Sequence, residues 1–348
     1  EDASPAPRTL SAEDTEWLQD TAAQRALAII RRSAMDPARE VLPSDNLELD
    51  LGLDSMERVE LLVALEKELG ADVPESVVSE VYTVRELVDA VRGATRAGAA
   101  PAVAGWDSVL ATESDDPDVL AIAGPHPISG PAWYLFGRLV NFFTRDRFRL
   151  KVTGLEKLPL HGPYIISPNH QSYIDAPVLV SQMPWSIHRE LFFVGTSEIF
   201  GSGFLRWLAR TIKLIPVDPD ANLVPAMRAG AFGLRRGKIL VLFPEGERSI
   251  DGIPRNFKKG AAILSTHMRV PIFPVAVEGF FDALPRGGGF RGFHPLRIAI
   301  GDPIYPPPVA AADENGYAQL TQELRSRVVE MWETLRQAPE SGRVAADQ

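Results

Sequence analysis

The sequence predicts two folds in one chain: a small all-helical bundle and, after a linker, an α/β domain with a central mixed sheet. Three observations predict this. The length, 348 residues, suits two domains or three. The charge is uneven: residues 1–96 hold 21 acidic and 10 basic side chains, net -11, and the rest of the chain is net +1. The hydrophobic period also changes, from helical spacing in the first part to short β-rich runs alternating with helical ones from Pro131 onward.

Residues 1–92 form the helical unit, with a polar N-terminal tail. Trp17, Leu18, Ala22, Leu27 and Ile30 recur at helical spacing and predict a first helix over Thr15–Arg32. Val41–Leu53, with Pro43 and Asn46, reads as a loop. A second helix runs from about Ser55 to Leu69, with Gly70 as its C-cap. A short helical turn is expected over Ser76–Tyr82, and a last helix opens at Thr83 or Val84, completing a four-helix bundle. Residues 93–130, rich in Ala, Gly and Pro with an acidic run at Asp115–Asp118, read as a flexible linker with one helical turn around Trp106–Leu110. As a coil, such a segment spans about 31–37 Å and keeps the helical unit at an effective concentration on the order of millimolar.

Residues 131–337 are the α/β domain. Strands are expected at Tyr164–Ser167, Leu191–Val194, Ile212–Val217, Ile239–Phe243, Ile272–Val277 and Leu296–Ile300. Helices between them fall at Asp175–Gln182, Val224–Arg235 and Lys259–His267. A final amphipathic helix covers about Gly316–Leu335, and residues 338–348 read as a disordered tail.

Composition narrows the function. With 45% hydrophobic and 24% charged residues the chain is globular. The absence of cysteine excludes disulfides, thiolate nucleophiles and Cys-ligated zinc, and fits a cytoplasmic protein. No apolar run approaches the roughly 18 residues of a spanning helix, and the first residues are no signal peptide. The start at Glu1, without Met, is expected of a piece of a longer chain. An acidic helical unit favours basic protein surfaces and argues against nucleic-acid binding. The histidines at 126, 161, 188, 267 and 294 show no metal-ligand grouping.

The first chemical motif is Asp50-Leu-Gly-Leu-Asp54-Ser55-Met56-Glu57, at a loop-to-helix junction. Asp54 with Glu57 three residues on also makes an ordinary capping box, which asks no chemistry of Ser55. Gly52 before the Asp-Ser pair, Met56 after it and the surrounding acidic four-helix unit resemble an acyl carrier protein. The resemblance implies 4′-phosphopantetheine on Ser55, carrying an acyl chain as a thioester, and a phosphopantetheinyl transferase that attaches it. A serine at a helix N-terminus suits that role, because the N–H groups there favour the new phosphodiester charge. Glu57, Glu60, Glu66 and Glu68 are expected to steer the unit to basic partners.

The second motif is His170-Gln-Ser-Tyr-Ile-Asp175, where a strand runs into a helix. An aspartate on one ring nitrogen fixes the tautomer and leaves the other to accept a proton from a hydroxyl. Phe243-Pro-Glu245-Gly246-Glu-Arg248-Ser249 follows another strand, and Val270-Pro271-Ile-Phe-Pro-Val275 comes later. No G-x-S-x-G elbow is present. These three motifs, in this order, resemble the glycerolipid acyltransferase family of the bacterial lysophosphatidate type (PlsC-like) over about residues 131–305. The resemblance implies His170 as general base with Asp175 as its partner. It implies an acceptor site from Glu245, Gly246, Arg248 and Ser249, and an acyl-donor or structural role for Pro271. The reaction implied is attack of a lysophospholipid or glycerol 3-phosphate hydroxyl on an acyl thioester, without an acyl-enzyme.

The family's second motif commonly ends in an arginine for the acceptor phosphate. Here Pro219 stands near its place, with Lys213, Arg255, Lys258 or Lys259 as substitutes. A non-phosphate hydroxyl or amine acceptor therefore stays open, as does a carrier or membrane-docking module without turnover. The two halves together resemble fused acyl-ACP synthetase–acyltransferase proteins, which implies an upstream acyl-activating ligase domain.

Trp133–Phe143, followed by Arg145, Arg147, Arg149 and Lys151, suits either a helix lying in a bilayer interface or one buried on the catalytic core. The first reading places the protein peripherally on the inner face of the membrane. Phe200–Leu208 is a second candidate, and Gly287–Phe293 reads as a flap or a plain surface loop.

Overall fold

In the computed structural model the chain divides into two compact units. One spans Glu1–Val109 with Asp220–Val224, the other Leu110–Pro219 with Pro225–Gln348. The structure describes residues 12–33, 40–53, 55–69, 71, 73, 81–95, 106–124, 126–196, 203–217, 223–308 and 313–338.

The described part of the first unit has helices α1 (Ala12–Leu18), α2 (Thr21–Ser33), α3 (Ser55–Leu69) and α4 (Val84–Thr95). The single helix expected over 15–32 is broken in two. Asp20 ends the first stretch and caps the second, its Oδ1 accepting from the N–H groups of Ala22 and Ala23 at 2.8 and 3.0 Å. Ala23, Ala26, Leu27 and Ile30 of α2 pack with Leu61, Leu62 and Leu65 of α3 and Leu87, Val88 and Val91 of α4 in one core. The expected caps Asp54 and Gly70, and the expected turn over 76–82 apart from its last two residues, lie outside the described residues.

The stretch expected as linker is partly regular. Helices α5 (Trp106–Ala111) and α6 (Pro117–Ala123) form within it. Asp116 caps α6 by accepting from Asp118 N, and Pro117 stands at its first position, where a missing N–H costs nothing. Asp118, 5% exposed, is paired with Arg206 and Arg210. Two guanidiniums hold its carboxyl below the ordinary value even though burial opposes this. The segment from α6 is thus fastened to the α/β unit.

That unit continues with α7 (Ser129–Arg147), β1 (Lys151–Thr153), β2 (Tyr164–Pro168), α8 (Asp175–Ser181), α9 (Trp185–His188) and β3 (Leu191–Thr196). Then come α10 (Gly203–Thr211), β4 (Leu214–Val217), α11 (Leu223–Arg235), β5 (Ile239–Val241), α12 (Gly260–Met268) and β6 (Ile272–Glu278). The last elements are α13 (Phe280–Ala283), β7 (Arg297–Ile300) and α14 (Glu314–Gln337). The seven strands form one mixed sheet in the order β1-β7-β6-β2-β5-β3-β4. All pairs are parallel except β6–β7.

β2 and β6 sit inside the sheet and are buried along their whole length, which is why they read as continuous apolar runs. Their register pairs Ile165 with Ile272 and Pro168 with Val275. α14 packs on β6 and β7, and α7 packs on α8. α11 approaches β3 closely: a Cβ on Gly233 would lie 2.3 Å from the Phe192 ring, so only glycine fits there. Three-residue β1 is so short an edge strand that it has no period of its own.

Candidate active site

The carboxyl ends of β2 and β5, neighbours in the parallel part of the sheet, carry the two main motifs into one place; α/β sheets collect ligands at such ends. Beyond β2, Asn169 continues the ladder with its side chain. Its Nδ2 donates to Val277 O at 3.1 Å, and its Oδ1 accepts from Val277 N at 2.8 Å. His170 follows on a fixed backbone.

The His170 ring is held by a hydrogen bond and a stacking contact. Nδ1 donates to Asp175 Oδ2 at 2.8 Å. The same oxygen accepts from Gln171 N at 2.6 Å and Ser172 N at 2.8 Å, so Asp175, fully buried, locks the turn as well as the ring. Phe243 stacks on the imidazole, centroids 4.0 Å apart. With Nδ1 protonated toward a carboxylate, the lone pair of neutral imidazole is on Nε2. The side chain keeps 19% exposure, enough for a substrate hydroxyl to reach it.

Glu245, expected at the acceptor site, is 4% exposed and bonded to backbone instead. Oε1 accepts from His170 N at 2.9 Å and Oε2 from Arg255 N at 3.1 Å. Burial pushes its carboxyl up to about 7, against the pull of those two N–H groups and the Arg255 charge, and the Asp175 charge adds to the rise. Its place is beneath the histidine. Ser249 is also structural: its N donates to His170 O at 2.8 Å and its hydroxyl to Asp251 at 2.9 Å. Gly246 takes φ +76° in the turn, and a Cβ there would lie 3.0 Å from the Lys258 stem.

Arg248 stands against the turn that follows His170. Its guanidinium lies over the Tyr173 ring, 3.4 Å from the centroid, and Nη1 is buried without a hydrogen-bond partner among the described residues. A buried donor on a permanent cation calls for an acceptor, and paired N–H groups suit phosphate or carboxylate. Arg255 and Arg286 flank it, both tied to Glu247.

Other expected residues are not brought here. Pro271 precedes β6 at the amino end of the parallel strands, its O accepting from Ile165 N at 3.0 Å. In register it is level with Tyr164, six residues before His170, so it lies roughly 20 Å away at about 3.3 Å per residue. Lys213 opens β4 at that same end and donates to Arg189 O, which removes it as a substitute for the second-motif arginine. Lys259 pairs with Glu314. Position 219 lies outside the described residues. Glu66, expected on the steering face, is buried, its Oε1 accepting from Val73 N at 2.8 Å.

Sequence reading missed Asn169 and Gln171. Gln171 is buried, donating to Gly252 O at 2.6 Å and Glu278 at 3.1 Å while accepting from Phe280 N at 3.2 Å. The only sequence signal for either is that they stand immediately before and after His170.

In the first unit, Ser55 is the first residue of fifteen-residue α3, after a loop in which Gly52 takes φ +71°. The backbone N–H groups of a helix start are those a phosphodiester on that serine would meet, so the position fits the prosthetic group.

Residues 24–91 match the family model described as phosphopantetheine attachment site, and residues 149–278 match the acyltransferase model. Among curated relatives, the chloroplastic 1-acyl-sn-glycerol-3-phosphate acyltransferase BAT2 of Brassica napus is 29% identical over 163 residues, 45% of this chain and 46% of that protein. The Bacillus subtilis 1-acyl-sn-glycerol-3-phosphate acyltransferase is 25% identical over 186 residues, 52% of this chain and 87% of that one. The human alpha form is 30% identical over 139 residues, 38% and 47%. The chain thus spans under half the length of the plant and human relatives. The crystal structure of the 1-acyl-sn-glycerophosphate (LPA) acyltransferase PlsC from Thermotoga maritima aligns with a TM-score of 0.49 at 23% identity, covering 64% of this chain and 88% of that one. The chain therefore carries a phosphopantetheine-attachment domain, which implies covalently bound 4′-phosphopantetheine, N-terminal to an acyltransferase domain.

Proposed function

We propose that the chain transfers an acyl group from a thioester carried on Ser55 to the hydroxyl of a phosphate-bearing glycerolipid acceptor, lysophosphatidate or glycerol 3-phosphate. The prosthetic arm supplies the acyl donor as a thioester. His170 Nε2 takes the proton of the acceptor hydroxyl as its oxygen bonds to the donor carbonyl carbon. Asp175 stabilises the imidazolium that forms, and His170 returns the proton to the leaving sulfur as the C–S bond breaks. No side chain of the α/β unit need be acylated.

One observation carries the acceptor assignment: Arg248 has a buried Nη1 without a partner among the described residues, and its guanidinium lies on Tyr173, in the turn that also holds His170. The relatives named for 1-acyl-sn-glycerol-3-phosphate support the same class of acceptor. A phosphopantetheinyl transferase and an acyl-activating ligase, the latter expected as a preceding domain, would prepare the carrier.

The membrane reading belongs here too. Leu135, Leu139 and Phe142 form an exposed apolar stripe on α7, with Phe142 at 76% exposure, and Arg145, Arg147 and Arg149 follow. Phe290 and Phe293 of the 287–293 loop join Phe143 and Phe148 in edge-to-face contacts beside it. Among the described residues no helix is long and apolar enough to cross a membrane. The stripe with its basic flank suits a helix lying in the interface.

Steady-state transfer to lysophosphatidate and to phosphate-free monoacylglycerol tests the acceptor. Wild type is expected to prefer lysophosphatidate, and Arg248→Gln to raise its KM about 10- to 100-fold while leaving monoacylglycerol unaffected. Equal use of both acceptors by wild type would instead favour the non-phosphate acceptor that Pro219 hints at.

A further inference from the structure

α7 and α8 meet where Gly137 lies on Ser181, a Cβ there being 3.6 Å from Ser181 Cα. Beside that crossing is an open cleft of about 240 Å³ lined by Arg138, Asn141, Phe142, Arg145 and Gln182. Its volume equals about eight waters at roughly 30 Å³ each, enough for a small polar headgroup.

The lining is built and incompletely satisfied. Arg138, Asn141 and Arg145 stand at i, i+3 and i+7 and share a face of α7. Asn141 is 4% exposed, and its Oδ1 accepts from Arg145 Nε at 2.9 Å, which fixes that guanidinium. Among the described residues Arg138 reaches only Ser181 O, at 3.5 Å. Neither arginine has a carboxylate partner among the described residues. Gln182 is 5% exposed; its Nε2 donates to Ser181 Oγ at 2.8 Å and Val178 O at 3.2 Å, and its Oε1 is buried without a partner among the described residues. Exchanging the amide's two ends would set oxygen against the Val178 carbonyl, so the orphan is the acceptor. Two cations and one unfilled acceptor ask for a ligand with both an anionic phosphate and a hydrogen-bond donor. The exposed stripe Leu135, Leu139 and Phe142 runs alongside, and Phe142 belongs to both surfaces.

We propose that this cleft is a phospholipid headgroup site, in which Arg138 and Arg145 grip the phosphodiester and Gln182 Oε1 accepts from a headgroup hydroxyl, with the acyl chains leaving along the apolar stripe. The source of the ligand rests on the membrane reading above; the chemistry of the cleft does not. The site adds a specific lipid contact to a general affinity for apolar and anionic surfaces, and seats α7 at a defined depth.

Calorimetric titration of the full chain with soluble short-chain phosphatidylglycerol tests it, beside phosphatidylmethanol (the same charge without a donor) and inorganic phosphate. Wild type is expected to bind phosphatidylglycerol most tightly, and R138Q/R145Q to lose about tenfold or more; both side chains are exposed, so the fold is kept. Affinities unchanged in R138Q/R145Q, or inorganic phosphate bound as tightly as the lipid, would overturn the site. Equal binding of phosphatidylmethanol would overturn the Gln182 contact. Sedimentation with phosphatidylcholine vesicles, with and without phosphatidylglycerol, separates the two readings. L135S/L139S is expected to lose both vesicle types and, at reduced affinity, to keep the preference for soluble phosphatidylglycerol over phosphatidylmethanol. If wild type ignored vesicles yet bound the soluble lipid, the membrane reading would fall and the headgroup site would stand.

Discussion

Glu245 couples the site to pH at the scale of one residue. Its folded carboxyl titrates at about 7 against an ordinary 4.5, so over that window the folded chain keeps a proton the unfolded chain has lost. Stability from this group is present below 4.5 and is lost as pH rises through about 7, by on the order of 3 kcal/mol. Denaturant midpoints of wild type relative to Glu245→Gln are therefore expected to fall across that window; a flat difference would remove the assignment. The identity of Glu245, His170, Asp175 and Arg248 was legible in the motifs, but the role of Glu245 was not. Its partners, His170 N and Arg255 N, are 75 and 10 residues away, and only the folded sheet makes it a clamp on the histidine backbone. Asn169 and Gln171 were illegible for the same reason: they act on residues more than 80 positions on.

At the scale of elements, strands buried on both faces and helices of two turns or more could be read directly, because their periods are strong. Boundaries set by one capping side chain were misread. The Asp20-Thr21 junction and Asp116-Pro117 both carry N-cap chemistry, yet a continuous stripe hid the first and an acidic run read as solvent-loving hid the second. The expected linker was wrong in its second half because Asp118 finds two arginines about 90 residues away. The close approach of α11 to β3 was also out of reach of the sequence. Gly233→Ala is expected to cost about 1–3 kcal/mol, since its methyl must displace the fully buried Phe192 ring. A thermal or urea midpoint equal to wild type would show that α11 can shift away from β3.

For the whole molecule, one chain holds a phosphopantetheine-attachment domain and an acyltransferase domain, and each unit has its own core. Two short helices, α5 and α6, form within what reads as free tether, and Asp118 fastens the second to the α/β unit. What each half is could be read from its motifs; the tertiary supports that hold those motifs could not. The central claim is that the acyl group leaves Ser55 for a phosphate-bearing acceptor through His170. Intact mass of the phosphopantetheinylated, acyl-loaded chain, before and after adding lysophosphatidate, tests it in one spectrum. The account predicts that the acyl mass disappears in wild type and persists in His170→Ala, and that Ser55→Ala never gains it. An acyl mass lost equally from both loaded chains, or retained by wild type with lysophosphatidate and glycerol 3-phosphate alike, would contradict it.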